Sequence, residues 1–275
     1  MPAVDQVQDA GLAGDLALLI DAAWQAGQIA LRFFKQSQEV WMKGGTSPVS
    51  EADYAVDKFL RETLLTARPD YGWLSEETAD SAARLDARRT FVVDPIDGTR
   101  GFLEGQSRWC VSVAVVEAGR STAGVLECPA RQETFSALPN AGAFKNGMRL
   151  AVREPGPQPE IGGPKIMLDA LPEEMRDRVK RTAYIPSLAY RVAMVADGAL
   201  DASFVKPNSH DWDLAAADLI LREAGGRLLD EHGRPPVYGG AETRHGALVA
   251  GSGDLLAIMA GVIHAGDGRK PFEMV

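Results

Sequence analysis

The spacing of apolar residues changes along this chain, and that change restricts the folds that it can adopt. Between residues 12 and 37, apolar side chains recur every three or four positions, which is typical of one face of a long amphipathic helix. A second helical segment begins at Ser50, where the stretch to Asp53 resembles a capping box, and ends before Pro69. Between residues 90 and 138, short runs rich in valine and aromatic residues alternate with glycine, proline and asparagine, which predicts successive β-strands. Two helices followed by a strand meander predict an α+β layer.

A proline- and glycine-rich stretch, residues 154–164, is the clearest connector in the chain. We therefore expect an N-terminal α+β domain over residues 1–153 and a C-terminal α/β domain over residues 154–275. Beyond the connector, strand patterns such as those at 166–168 and 247–250 alternate with helical patterns. This alternation predicts a mostly parallel sheet covered by helices.

The composition excludes several classes of function. The 275-residue chain is 45% apolar and 24% charged, which is the balance of a globular protein. Lys and Arg total 29 against 38 Asp and Glu, a net charge of −9, and no basic stripe indicates nucleic-acid binding. No apolar run approaches the roughly 18 residues of a membrane span, and the first basic residue is Arg32, so we expect a cytoplasmic protein without a signal peptide. In that reducing compartment, Cys110 and Cys128 are expected to be small core residues that face each other across a hairpin.

The most informative motif is an apolar strand that ends in two aspartates. Asp94 and Asp97 are separated by a proline that we expect to turn the chain out of the strand. In such a turn both carboxylates and the Ile96 carbonyl can face one point, and Mg²⁺ prefers oxygen ligands of this kind. Gly98 and Thr99 then offer backbone amides to a phosphate oxygen. On its own, the motif is equally typical of a solvated turn.

Two further acidic groups lie elsewhere in the chain. Glu76 and Glu77 are adjacent at the end of another apolar segment, and Asp211 and Asp213 stand at the start of a predicted helix. Taken singly, the first is ordinarily a solvated pair of glutamates. The second is ordinarily a pair of first-turn acids that the helix dipole stabilises.

Taken together and in this order, Glu76–Glu77, Asp94–Thr99 and Trp212–Asp213 resemble the signature of the inositol monophosphatase superfamily of Mg²⁺-dependent, typically lithium-sensitive phosphatases. That superfamily includes 3′(2′),5′-bisphosphate nucleotidases and histidinol phosphatases. The similarity extends from the first helix to about residue 250. It implies a layered α/β/α/β/α sandwich of the inositol monophosphatase/fructose-1,6-bisphosphatase type, with an antiparallel N-terminal sheet and a mostly parallel C-terminal sheet.

The resemblance also implies roles for individual residues. Two or three Mg²⁺ ions would be held by a set of oxygen ligands: Glu76, Asp94, the Ile96 carbonyl, Asp97 and Asp213. Asp53 and Thr99, together with Glu76, would orient and help to deprotonate a metal-activated water. The substrate would contact the metal site and a C-terminal pocket through Asp97, Gly98, Thr99, Ser187, Ala189, Lys206 and Asp213. Lys43 matches a family lysine only roughly, and a solvated lysine is the alternative.

The expected function is Mg²⁺-dependent hydrolysis of a small phosphate monoester, either an inositol monophosphate or 3′-phosphoadenosine 5′-phosphate. Histidinol phosphate and fructose 1,6-bisphosphate are alternative substrates. A non-catalytic regulator on the same fold, which binds a metabolite or a protein, is an alternative of another class. The expected partner is a small phosphate ester, and the family makes a homodimer possible.

Three basic residues and a histidine bear on the choice of substrate. Lys206 stands where inositol monophosphatases carry a hydroxyl-binding glutamate, and a lysine donates to anions. With Arg100 and Arg191, it predicts a substrate that carries a second phosphate. For His210 two interpretations stay open: a surface or helix-capping residue, or a residue of the leaving-group pocket.

Overall fold

The computed structural model describes residues 3–36, 39–43 and 47–267. Two helices lead into a strand-rich region, and the first helix starts earlier than predicted. The elements of this part are α1 (Ala3–Phe33), β1 (Val40–Lys43), β2 (Ser47–Ser50), α2 (Glu51–Ala67), β3 (Gly72–Ser75), β4 (Arg89–Asp97), α3 (Thr99–Leu103), β5 (Cys110–Glu117), β6 (Arg120–Cys128), β7 (Glu133–Leu138), β8 (Gly142–Lys145) and β9 (Met148–Arg149). The predicted end of the first helix, at residue 37, lies outside the described residues.

Strands β3 to β9 form a seven-stranded sheet in chain order. Strands β3 and β4 run parallel, and the remaining neighbours pair antiparallel, as the predicted meander requires. Asn146 and Gly147, both at positive φ, form the two-residue turn between β8 and β9. The β5–β6 register pairs Val111 with Glu127, which places Cys110 opposite Cys128. Both cysteines are buried and free, which confirms them as core residues.

The second half of the chain alternates short strands with helices. Its elements are β10 (Glu160–Gly162), α4 (Lys165–Asp169), α5 (Glu173–Arg176), β11 (Lys180–Arg181), α6 (Leu188–Ala196), β12 (Ala202–Val205), β13 (Ser209–His210), α7 (Asp211–Glu223), β14 (Arg227–Leu229), β15 (Arg244–His245), β16 (Leu248–Gly251) and α8 (Gly253–Asp267). The prediction of a strand at 166–168 was wrong, because these residues lie in α4. Pro164 precedes that helix, and its fixed φ suits a helix start.

The second sheet has the strand order β11-β10-β12-β16-β14 and is mixed. Strand β10 pairs parallel with β11 and β12, whereas β16 pairs antiparallel with β12 and β14. The prediction of a mostly parallel C-terminal sheet was therefore wrong in this detail. A parallel pair needs a crossover connection, usually a helix. The chain reaches β16 through residues 230–247, which contain no helix, and β16 lies between β12 and β14 in the sheet.

Five layers result from this arrangement. Helices α1 and α2 cover the outer face of the large sheet, and α6 and α7 fill the space between the two sheets. Helix α8 packs on the outer face of the small sheet, beside residues of α4. This is the predicted α/β/α/β/α sandwich. Within the described ranges, no helix is both long and apolar enough to cross a membrane.

Candidate active site

A bulge in β4 brings the two aspartates of the central motif together. We expected Pro95 to turn the chain out of the strand, but β4 continues to Asp97. Asp94 pairs with Ser112 and Asp97 with Cys110, so three steps along β4 match two along β5. Proline has no N–H to donate to the ladder, so the irregularity falls at that residue. The Ile96 N–H instead donates to Asp94 Oδ1 (3.0 Å).

Helix α7 supplies a third carboxylate. His210 precedes its first residue, and the His210 N–H donates to Asp213 Oδ2 (2.7 Å), which fixes Asp213 in the first turn. Oxygens of Asp94, Asp97 and Asp213 all lie within 4.8 Å of one another. Glu76 directly follows β3, the parallel neighbour of β4, and its N–H donates to the Val93 carbonyl (3.2 Å). Four acidic residues from three elements thus meet at one end of the large sheet.

Burial and mutual repulsion favour the protonated, neutral form of these carboxyl groups. Burial, with the nearby charges of Glu76, Asp97 and Asp213, raises the pKa of Asp94 well above its usual value. Burial also raises the pKa of Asp97. Burial, followed by the charge of Asp97, raises the pKa of Asp213 to about 7. Among the neighbouring charges, that of Glu76 raises the pKa of Asp94 most, so Glu76 lies close to the same cluster.

Asp97 is bound to the N-terminus of α6. Ser187 Oγ (2.5 Å) and the Ala189 N–H (2.6 Å) donate to Asp97 Oδ2, and the Leu188 N–H (3.2 Å) donates to Oδ1. Ser187 is also the N-cap of α6, because its Oγ accepts from the Tyr190 N–H (3.0 Å). These hydrogen bonds hold one acidic residue of the cluster through an element 90 residues further along the chain.

Gly98 permits this close approach. Its φ is +95°, and a Cβ at this position would lie 3.0 Å from Ser187 Cβ and from the Ser187 nitrogen. A larger residue would therefore push the aspartate turn away from α6. The conformation itself also favours glycine.

Asp53 and Thr99 lie together beside the cluster. Thr99 Oγ1 is 3.2 Å from Asp53 Oδ1 and 2.9 Å from the Ile96 carbonyl, and its single proton can be donated to one of them at a time. The N–H and Oγ of Ser50 donate to Asp53 Oδ2 (2.8 and 2.7 Å), which is the predicted capping box. Burial raises the pKa of Asp53.

Comparison with known proteins identifies this arrangement. A model of the inositol monophosphatase family matches residues 14–265. The chain belongs to the inositol monophosphatase family. It is 31% identical over 268 residues to an inositol-1-monophosphatase of Rhizobium meliloti. That alignment covers 90% of this chain and 95% of the relative. It is 34% identical over 242 residues to a histidinol-phosphatase of Mycobacterium tuberculosis. That alignment covers 82% of this chain and 91% of the relative.

Solved structures share the fold as well. The crystal structure of the extragenic suppressor protein suhB from Bartonella henselae superposes with a TM-score of 0.80 at 28% identity, covering 92% of this chain and 99% of that one. Members of the inositol monophosphatase family are phosphatases, and the protein is a phosphoric monoester hydrolase.

The donor set of this family member suits a divalent cation. The candidate ligands are oxygens, they converge, and they are buried or partly buried. No Lys or Arg nitrogen of the described residues is ion-paired with Asp94, Asp97 or Asp213, whereas His210 Nδ1 lies 4.0 Å from Asp213. Carboxylates that repel one another without a paired side-chain cation need positive charge from elsewhere. The acidic cluster therefore fits a metal.

The structure shows the surroundings of the residues assigned to the substrate. Ser187 and Ala189 are fully buried and bind Asp97, so their direct contact with a substrate stays a prediction. Lys206 follows β12, is exposed, and lowers the pKa of Asp213 through its charge. Arg191 is buried, and its guanidinium donates to Ser203 Oγ (2.9 Å) and to the Phe204 carbonyl (3.2 Å).

The remaining candidates are placed as follows. Arg100 is exposed in α3. The ring of His210 stacks on Trp212, with centroids 4.4 Å apart. The side chain of Lys43 lies outside the described residues.

The sequence did not point to Asp57. This buried residue of α2 accepts hydrogen bonds from Ser75 Oγ (2.5 Å) and Thr78 Oγ1 (2.7 Å), which flank Glu76 and Glu77. One signal was present. Asp57 lies four residues after Asp53, on the same face of one helix.

Proposed function

We propose that this hydrolase is a Mg²⁺-dependent phosphomonoesterase that acts on a small phosphorylated metabolite of the inositol monophosphate or 3′-phosphoadenosine 5′-phosphate class. The observation that carries the proposal is the convergence of Asp94, Asp97 and Asp213 within 4.8 Å, at the end of a sheet that also presents Glu76. Divalent cations held by these carboxylates would suit in-line displacement at phosphorus. Lithium sensitivity belongs to the same proposal.

In this proposal, the residues that would hold the ions are Glu76, Asp94, the Ile96 carbonyl, Asp97 and Asp213. When bound, Mg²⁺ supplies positive charge that offsets the phosphate and lowers the pKa of a coordinated water. The protein's own contribution is to keep these ligands in place before the ions arrive. The hydrogen bonds from α6 do so for Asp97, and the capping bond does so for Asp213.

Asp53 and Thr99 would take up the proton of the attacking water. A water hydrogen-bonded to Thr99 Oγ1 can pass its proton to that oxygen while the hydroxyl passes its own to Asp53 Oδ1, 3.2 Å away. Burial raises the pKa of Asp53, which makes its carboxylate a better proton acceptor.

Lys206 supports a substrate with a second anionic group. It is exposed, and its charge reaches Asp213, so it stands at the rim of the cluster. Arg191 does not serve this purpose, because it is buried and its guanidinium is bonded to the protein. The names of two relatives keep inositol 1-phosphate and histidinol phosphate among the substrates to test.

The proposal is tested by phosphate release with Mg²⁺, with and without Li⁺, from inositol 1-phosphate, 3′-phosphoadenosine 5′-phosphate, histidinol phosphate and fructose 1,6-bisphosphate. We expect release from at least one substrate and its loss in Asp94→Asn. Asp70→Asn, an exposed aspartate outside the cluster, is the matched control. Wild-type rates in purified Asp94→Asn would refute the metal assignment. Absence of release from every substrate would favour the non-catalytic regulator.

The choice of substrate is tested by Lys206→Glu. We expect this variant to lose activity on 3′-phosphoadenosine 5′-phosphate by at least about tenfold, because a like charge then faces the second phosphate. Equal turnover of inositol 1-phosphate by both proteins, with no activity of either on the nucleotide, would exclude the second-phosphate role.

A further inference from the structure

A cavity lies at the other end of α7 from the acidic cluster. Its volume is about 430 Å³, within the range of small-molecule sites. It is lined by residues from the start of β6, the C-terminal half of α7, the start of β14 and two loops: Arg120, Ser121, Thr122, Pro139, Asp218, Arg222, Arg227, Leu228 and Pro235. From Asp213 to Arg222 is nine residues of helix, or roughly 14 Å along the axis. The cavity is therefore separate from the acidic cluster.

Three arginines line this cavity in a protein whose net charge is −9. Arg120 and Arg227 are exposed, and neither guanidinium makes an ion pair or hydrogen bond with the described residues. Arg222 Nη2 donates to the Ser121 carbonyl (3.3 Å). Its Nη1 lies 4.0 Å from the buried carboxylate of Asp218, which is too long for a hydrogen bond. Most of the guanidinium donors are thus still open to a ligand.

The other lining groups define what such a ligand looks like. Ser121 Oγ donates to the Ala215 carbonyl (2.7 Å) and Thr122 Oγ1 to the Val115 carbonyl (3.2 Å), so their protons are already used. The donors that remain belong to the arginines, whose planar forks match phosphate oxygens. Leu228 and the two prolines form an apolar wall beside them. This combination suits a phosphate group attached to a small organic body.

We propose that the cavity formed by Arg120, Arg222 and Arg227 is a binding site for a phosphate-bearing small molecule, distinct from the acidic cluster. Three guanidiniums outnumber the single carboxylate of Asp218, so the site attracts anions although the protein repels them overall. The inference does not depend on the substrate of the hydrolase.

Calorimetric titration of metal-free protein isolates this site. Protein freed of metal by a chelating resin is titrated at pH 7.5 with inorganic phosphate, glycerol 3-phosphate and glycerol. Without metal, the acidic cluster repels phosphate, so binding reports the arginine cavity. We expect both phosphates to bind saturably and glycerol not to bind. Tighter binding of glycerol 3-phosphate would identify a phosphorylated metabolite as the ligand, and equal binding would identify free phosphate.

Substitutions then locate the binding. We expect Arg120→Gln and Arg227→Gln each to weaken it about tenfold, because each removes a charged donor. Asp218→Asn is expected to tighten it, because it removes the opposing charge, and a gain of affinity cannot result from poor folding. Arg88→Gln and Arg176→Gln, exposed arginines that do not line the cavity, are the controls, and Asp94→Asn should bind as the wild type does. No saturable binding, or equal binding by the two cavity variants and the controls, would overturn the proposal.

Discussion

Asp57 is a buried side chain that holds the segment carrying Glu76 in place. Its two carboxylate oxygens accept from Ser75 Oγ and Thr78 Oγ1, on either side of Glu76. Such partners behind a ligand set its position, and their loss commonly weakens metal binding by about 10- to 100-fold. Asp57 is therefore a positioning residue for the segment that carries Glu76.

We expect Asp57→Ala to raise the Mg²⁺ concentration for half-maximal phosphate release by at least about tenfold. The rate at saturating Mg²⁺ should fall much less, because no group that touches the substrate is removed. Activity measured against Mg²⁺ concentration separates the two effects. Asp21→Ala, an exposed aspartate of α1, should leave both unchanged. An unaltered Mg²⁺ dependence in Asp57→Ala would contradict the positioning role.

Asp218 makes stability depend on pH. Burial raises its pKa from 3.8 to about 6, and the opposing influences of Arg222, Tyr238, Arg120 and His245 are smaller. Between these two values the folded state binds more protons than the unfolded state, so this contribution to stability is present below pH 4 and lost as pH rises through 6. The free energy of unfolding of Asp218→Asn minus that of the wild type should therefore increase by about 3 kcal/mol from pH 4 to pH 8. Urea unfolding at several pH values measures this difference, and a constant difference would contradict the assignment.

Among the elements, α6 has the most direct influence on the site. Its first N–H groups and its N-cap serine hold Asp97, so the helix start acts as a clamp on one acidic residue. Glycine suits position 98 because a Cβ there would lie 3.0 Å from Ser187. Asp94, Asp97 and Asp213 are thus held in position by one bulged strand and the starts of two helices.

Removal of the clamp is expected to affect stability and metal binding together. Ser187→Ala should lower the free energy of unfolding by about 1 kcal/mol through the lost cap, and it should weaken Mg²⁺ activation because Asp97 loses a hydrogen bond. Ser81→Ala removes the N-cap of the short 3₁₀ helix at residues 82–86, which contributes no residue to the cluster, and should affect stability alone. If Ser187→Ala and Ser81→Ala showed the same dependence of activity on Mg²⁺ concentration, the hydrogen bonds from α6 to Asp97 would have no role in metal binding.

At the scale of the whole molecule, the acidic cluster connects two layers. Asp94 and Asp97 belong to the large sheet, whereas Asp213 belongs to the helical layer between the sheets. A cation bound by all three would stabilise the packing of α7 on that sheet. A ligand that binds the folded state alone adds about 2.7 kcal/mol at a concentration 100 times its Kd.

Saturating Mg²⁺ is therefore expected to raise the Tm of the wild type by several degrees over the metal-free protein. Asp94→Asn should lose most of this increase, and Asp70→Asn should retain it. Thermal unfolding followed by circular dichroism measures both. The same Mg²⁺-induced rise in Asp94→Asn would show that the ion binds elsewhere.

Local features of this protein could be predicted from its sequence because they depend on neighbouring residues. The capping box at Ser50, the turn at Asn146–Gly147 and the meander follow from residue types at short spacing. The acidic motifs identified the family for the same reason. The bulge at Pro95 was missed, because a proline breaks a ladder without always ending the strand.

Contacts between distant segments were decided only by the tertiary structure. The place of β16 between β12 and β14, the burial of Ser187 and Ala189 against Asp97, and the meeting of Arg120 with Arg227 join segments far apart in the chain. Residue types at short spacing were enough to predict most of the helices and strands, and to point to the acidic residues that meet in the cluster. Packing of the layers decided which of those groups meet, because burial and long-range pairing depend on the whole chain and not on local spacing.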